Sequence, residues 1–196
     1  MTQSISADLR AAIAVFLATF LLPAMSLAAS EQEAWEALRE GRAVLILRHA
    51  LAPGTGDPPG FELGDCSTQR DLNERGRDQA RFWKPFLAHR GIDQARVFSS
   101  RWCRATHTAE EMGLGEVTAM PSLDSFFQNR GDRQKQTRQT IVNVNALGAG
   151  SPIVLVSHQV NITALSGIYP ASNEGVILAL PLSEDPKVLA RVSPEP

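Results

Sequence analysis

Two runs of branched aliphatic residues, Val44 to Leu47 and Ile153 to Val156, contain no polar position that would mark a solvent face. Such runs read as strands buried on both sides. Each ends abruptly, the first in Arg48-His49-Ala50 and the second in Ser157-His158. Weaker strand patterns follow at Ala95 to Ser100, Val117 to Met120, Gly175 to Leu180 and Val188 to Val192. The last two form a hairpin through Pro181 to Pro186.

Helical spacing fills the intervals. Glu31 to Glu40 places Trp35 and Leu38 three apart before Gly41, a stop signal. Asn73 is the N-cap of a helix running to about His89 with Ala80, Trp83 and Leu87 inward; Pro85 should kink it or confine it near a turn. Ala105, Thr108, Ala109 and Met112 share a face of a third helix closed by Gly113. Asp132 to Leu147 and Gln159 to Gly167 are further helices, with Pro121 to Arg130 irregular. Residues 51–71, dense in Gly, Pro and Asp, form a loop long enough to suggest function. Alternating strands and helices predict a parallel, doubly wound sheet with helices on both faces.

At 196 residues, 43% hydrophobic and 20% charged, the chain suffices for one well-buried domain. A net charge of −2 supplies no basic field, which excludes nucleic acid as the expected partner. Residues 1–29 have a signal-peptide layout: Arg10, an apolar run from Ala11 to Leu22, then Pro23 and the small residues from Ser26 to Ser30. Cleavage after Ala28 or Ala29 is expected, leaving a domain over residues 30–196 with no stable membrane span and a periplasmic or secreted location. Retention of the segment as an uncleaved anchor is the alternative. Export makes a disulfide between the two cysteines, Cys66 and Cys103, an option that depends on whether the fold brings them together.

The candidate chemistry gathers at strand ends. Arg48, His49 and His158 emerge from two strands, and Arg104 lies in the first turn of the helix after Ser99-Ser100. Two arginines and two histidines at one sheet edge suit a dianion. Metal-ligand spacings and glycine-rich nucleotide loops are lacking, so no metal or cofactor is expected and a nucleophilic histidine is the natural chemistry.

Four segments in order carry a family resemblance: Arg48-His49-Ala50 after a hydrophobic strand, Leu72 to Ala80, Ser99 to Glu110, and Val156-Ser157-His158. They resemble the successive signatures of the histidine phosphatase superfamily, also called phosphoglycerate mutase-like, across roughly residues 42–180. The resemblance implies an α/β three-layer sandwich with a mostly parallel sheet. It also implies an exported, metal-independent phosphomonoesterase acting on a phosphorylated small molecule or an envelope phosphate. His49 would be the nucleophile, and Arg48, Arg104 and His158 would hold the phosphoryl oxygens. Asp124 is the expected general acid, although glutamate is more usual in the mutase-like branch and a turn role for Asp124 is equally open. Asp57 and Asp65 lie in the long loop, where either role is open. Arg70, Gln159 and Asn161 are candidate substrate contacts. His158 is expected protonated while His49 is neutral, their pKa values driven apart. With both cysteines at the active-site edge, a Cys66–Cys103 disulfide pinning the loop is expected. A non-catalytic anion-binding protein with the same pocket is the alternative, and a phosphosugar mutase is disfavoured by export and by the loop sequence.

Overall fold

The structure, a computed structural model, describes residues 22–148 and 150–194. Most of the expected signal peptide lies outside these residues. Helix α1 (Leu22–Arg39) is longer at its start than the helix expected from Glu31. It leads to β1 (Ala43–Arg48), α2 (Glu74–Ala88), β2 (Arg96–Ser99), α3 (Cys103–Met112) and β3 (Val117–Ala119). Then come α4 (Arg133–Asn145), β4 (Ile153–Ser157), α5 (Gln159–Ser166), β5 (Gly175–Ala179) and β6 (Val188–Val192). No helix among the described residues is long and apolar enough to cross a membrane.

The six strands form one sheet in the order β3-β2-β4-β1-β5-β6. The four strands from β3 to β1 are parallel, whereas β5 runs antiparallel to β1 and to β6. The sheet is thus mostly parallel, as expected, with an antiparallel pair at one edge. The β5–β6 connection carries no helix, and so short a link can only reverse the chain, which makes this pair an antiparallel hairpin.

Side chains alternate across β1. Leu45 and Leu47 enter a core with Trp35, Leu38, Trp83, Leu87 and Met112, under α1, α2 and α3. Val44 and Ile46 enter the opposite core with Val144, Ile162 and Leu165, under α4 and α5. A strand covered on both faces needs aliphatics at every position, which is why no polar residue interrupts residues 44–47. Helix α2 is not broken by Pro85, which sits inside its last turn, where only one helical N–H is forfeited.

Several side chains fix the chain as it leaves β1. Thr108 on α3 accepts the Ala50 N–H at 3.0 Å, and Gln79 on α2 accepts that of Leu51 at 3.1 Å. The Asn73 side chain caps α2 by accepting the Gly76 N–H at 2.8 Å. Asn173, at φ 65°, donates its N–H to the His49 carbonyl and accepts from Trp83 Nε1 at 2.9 Å. Asparagine tolerates this left-handed conformation better than most residues.

Gly76 is required by close approach. A Cβ there would lie 2.1 Å from the Leu51 carbonyl oxygen, a backbone atom with no freedom to swing aside. Gly76→Ala should therefore push residues 50–51 away from α2 and cost about 1–3 kcal/mol. Denaturant unfolding checks the stability loss, and reduced anion binding is expected with it. Wild-type stability would refute the contact.

Candidate active site

The parallel pairing of β1 with β4 places Arg48 opposite Ser157, and the ladder continues as His49 N–H donates to the Ser157 carbonyl at 3.0 Å. His49 and His158 are consequently neighbours at adjacent strand ends, with ring centroids 5.5 Å apart. On the other side of β4, Ser100 N–H donates to the Val156 carbonyl at 3.0 Å, bringing the start of α3 to the same edge. Arg48, His49, Arg70, Arg104 and His158 line one cavity of about 180 Å³. Gln159 also lines it, as do Trp102, Phe127 and Tyr169, which carry aromatic surface.

His49 and His158 are each only 3% exposed. Burial, followed by the nearby Arg104 cation, holds the His49 pKa well below 6.5. The same two causes, in the same order, hold His158 well below 6.5. The expectation of a protonated His158 beside a neutral His49 is thus corrected: poor solvation and three arginines disfavour a proton on either ring.

The tautomers follow from partners. His49 Nδ1 lies 2.8 Å from the Ala50 carbonyl, which can only accept, so Nδ1 carries the proton and Nε2 keeps its lone pair. The Ser100 hydroxyl lies 2.8 Å from His158 Nε2, donates to Asp124 Oδ1 at 3.3 Å and accepts the Trp102 N–H at 3.2 Å. Having one hydrogen, it accepts from His158 Nε2–H, leaving Nδ1 of His158 as the site of any added proton.

The cations are unevenly satisfied. Arg104 is paired with Asp57, Nη1 to Oδ1 at 2.6 Å and Nη2 to Oδ2 at 3.2 Å. Arg48 gives one N–H to the Pro170 carbonyl at 3.1 Å. Among the described residues, the buried Nε atoms of Arg48 and Arg104 have no acceptor. Unpaired buried donors are uncommon, and here they belong to two cations that line the cavity. Arg70 donates to the carbonyls of Gly56 and Ala52, and burial with the neighbouring Arg104 lowers its pKa to about 10.

Two sequence candidates are not brought into the cavity. The Asp124 carboxylate accepts the Arg101 N–H at 2.8 Å, Arg101 Nε at 2.8 Å and Nη2 at 2.5 Å, besides Ser100. These bonds hold the carboxylate outside the cavity lining, where it orients Ser100 and, through it, His158. Asn161 instead donates to the Asp124 carbonyl at 2.8 Å, tying α5 to this turn rather than touching a ligand. Asp57, left open in the loop, does line the cavity. Its proximity to Arg104 arises from loop packing, which no local sequence signal encodes. Tyr169, the chain's sole tyrosine, was missed for the same reason.

Cys66 and Cys103 are joined by a disulfide. It fastens the loop to the first turn of α3, one residue before Arg104. Gln69 from the same loop accepts the Cys103 N–H at 3.0 Å, meeting a helix-end donor that would otherwise be orphaned. His107 pairs with Asp71 at 2.7 Å and His89 lies on the surface, so neither joins the site.

Residues 44–127 match the model of the histidine phosphatase superfamily (branch 1). Among solved structures, the chain is similar to the protein histidine phosphatase SixA complexed with tungstate, at 21% identity and a TM-score of 0.55, covering 78% of this chain and 97% of that one. It is also similar to a mutant phosphoserine phosphatase from Entamoeba histolytica in complex with phosphoserine, at 15% identity and a TM-score of 0.55, covering 78% of this chain and 98% of that one. No curated protein was found to match. The likenesses to solved structures establish the fold.

The two lowered histidine pKa values fix a sign for stability against pH. The unfolded chain takes up protons on these rings near pH 6.5, and the folded protein does so only at lower pH. Their contribution is therefore present above that value and is lost as pH falls through the lowered folded values, at about 1.4 kcal/mol per unit of depression. Urea midpoints should fall between about pH 7 and pH 5 in phosphate-free buffer, and less so in a His49→Asn, His158→Asn double variant. An identical decline in both proteins would contradict the neutral assignment.

Proposed function

Because residues 44–127 match the histidine phosphatase superfamily (branch 1), we propose that the chain is a member of it and a phosphomonoesterase that passes the phosphoryl group through His49. One observation carries this reading: a neutral imidazole with a free Nε2 lines the same small cavity as three arginines. Nε2 attacks phosphorus in line while Arg48, Arg70 and Arg104 neutralise charge on the non-bridging oxygens. An entering dianion raises the proton affinity of both histidines. Nδ1 of His158 is free to take a proton and donate it to a phosphoryl oxygen, with Nε2 already committed to Ser100.

The activity we infer needs no metal, because the guanidinium groups supply the positive charge that a metal would otherwise provide. The proposed substrate is a phosphate monoester, either a small soluble molecule or a phosphate of the cell envelope. Export is likewise proposed, supported by the layout of residues 1–29 and by a disulfide in a chain with only two cysteines. Burial of Ala34, Trp35 and Leu38 supports a mature domain beginning near residue 30. The engagement of Asp124 by Arg101 favours a second reading, an anion-binding protein without turnover, since it removes the expected acid.

Turnover of a labelled monoester, quenched under denaturing alkaline conditions that preserve phosphoramidates, should leave label on His49. His49→Ala should abolish the label and lower kcat by about 10³-fold or more, and EDTA should change neither result. Hydrolysis without label on His49 would overturn the mechanism, whereas tight phosphate binding without turnover would establish the second reading.

A further inference from the structure

Asp124 lies outside the cavity lining, and the cavity contains another carboxylic acid that could protonate the departing oxygen. Among the described residues lining it, Asp57 is the sole carboxylic acid. Its side chain is 5% exposed. Both oxygens rest on Arg104, and Oδ2 also accepts Trp102 Nε1 at 3.0 Å. Its position is set from several sides: Arg70 holds the preceding Gly56 carbonyl at 2.8 Å, and the Cys66–Cys103 disulfide anchors the far arm of the loop.

We propose that Asp57 is the proton donor to the leaving group, and that the docking phosphoryl group arms it by displacing it from Arg104. The inference rests on the phosphohistidine reading above. Paired with Arg104, the carboxylate compensates that residue's buried charge. A phosphoryl dianion competes for the same guanidinium fork with more charge and more acceptor oxygens. Once displaced, Asp57 keeps the Trp102 N–H at Oδ2 while Oδ1 loses its cation and gains a dianion as neighbour. Both changes favour the neutral acid, which takes its proton from solvent.

The chemistry then balances. His49 Nε2 forms a bond to phosphorus as the ester P–O bond breaks, and the leaving oxygen takes the proton of Asp57 to depart as an alcohol. The resulting carboxylate accepts a proton from an attacking water, whose oxygen bonds to phosphorus as the N–P bond breaks. Hydrogen phosphate leaves, His49 is neutral again, and Asp57 returns its proton to solvent when it re-pairs with Arg104.

Wild type, Asp57→Asn and Asp124→Asn are to be compared on 4-nitrophenyl phosphate, whose leaving group needs no proton, and on a primary alkyl phosphate, whose leaving group does. Asp57→Asn should lower kcat on the alkyl ester by about 10²–10⁴-fold and on the aryl ester by less than about tenfold. Inorganic phosphate should inhibit Asp57→Asn more tightly than wild type, because no carboxylate competes for Arg104. Retained aryl turnover shows that the variant's site is intact. Should Asp57→Asn not fold, Asp57→Glu is read by the same ratio of alkyl to aryl rates. Equal losses on both esters would reduce Asp57 to a positioning residue and overturn the proposal, as would an alkyl-selective loss in Asp124→Asn. Aryl turnover with label on His49 in wild type keeps the phosphatase reading whatever Asp57 does, whereas no wild-type turnover removes both.

Discussion

The site depends on the register between β1 and β4. Parallel pairing of Arg48 with Ser157 sets the next residues, His49 and His158, side by side beyond the last rungs of the ladder. A slip of one residue would turn every side chain of β1 to the opposite face, sending Leu45 and Leu47 into the wrong core and His49 away from its partner. Aliphatic side chains on both faces prevent that slip, since each of the two cores accepts only one alternating set. The hydrophobic cores thus act as the ruler that aligns the catalytic edge.

Against that ruler, the electrostatics are a balance between burial and charge. Arg48, Arg70 and Arg104 converge on a cavity walled by two buried imidazoles, and the cost of concentrating positive charge is met by keeping both rings neutral. Asp57 offsets part of the remaining charge through Arg104. Removing one partner of such a buried pair is strongly unfavourable, at about 3–5 kcal/mol, so the carboxylate stays until another anion can replace it. In the proposed mechanism, His49, the arginines and Asp57 therefore respond together to the arrival of a phosphoryl group.

Much of this was legible in the sequence, for reasons that differ by element. The strands β1 and β4 were evident because two-sided burial forces uninterrupted aliphatics, and their polar endings marked the edge where Arg48, His49 and His158 stand. Asn73 and Gly76 are local signals with local causes, a cap and a close approach. The antiparallel β5 and β6 were visible as a hairpin, yet their effect on sheet direction was not. The pairing of Asp124 with Arg101 could not be read from the sequence, because it depends on the turn after β3. Asp57 was left undecided because a loop rich in glycine and proline has no periodicity from which a side-chain direction could be read.

The central claim is double displacement at phosphorus through a histidine, and the stereochemical course tests it most directly. Hydrolysis of a monoester made chiral with three oxygen isotopes requires two in-line transfers if a phosphohistidine forms, and one if water attacks the ester itself. With the transfer carried out to an alcohol acceptor so that the product remains chiral, net retention of configuration is the expected result. Net inversion would contradict the account, whatever residues surround the cavity.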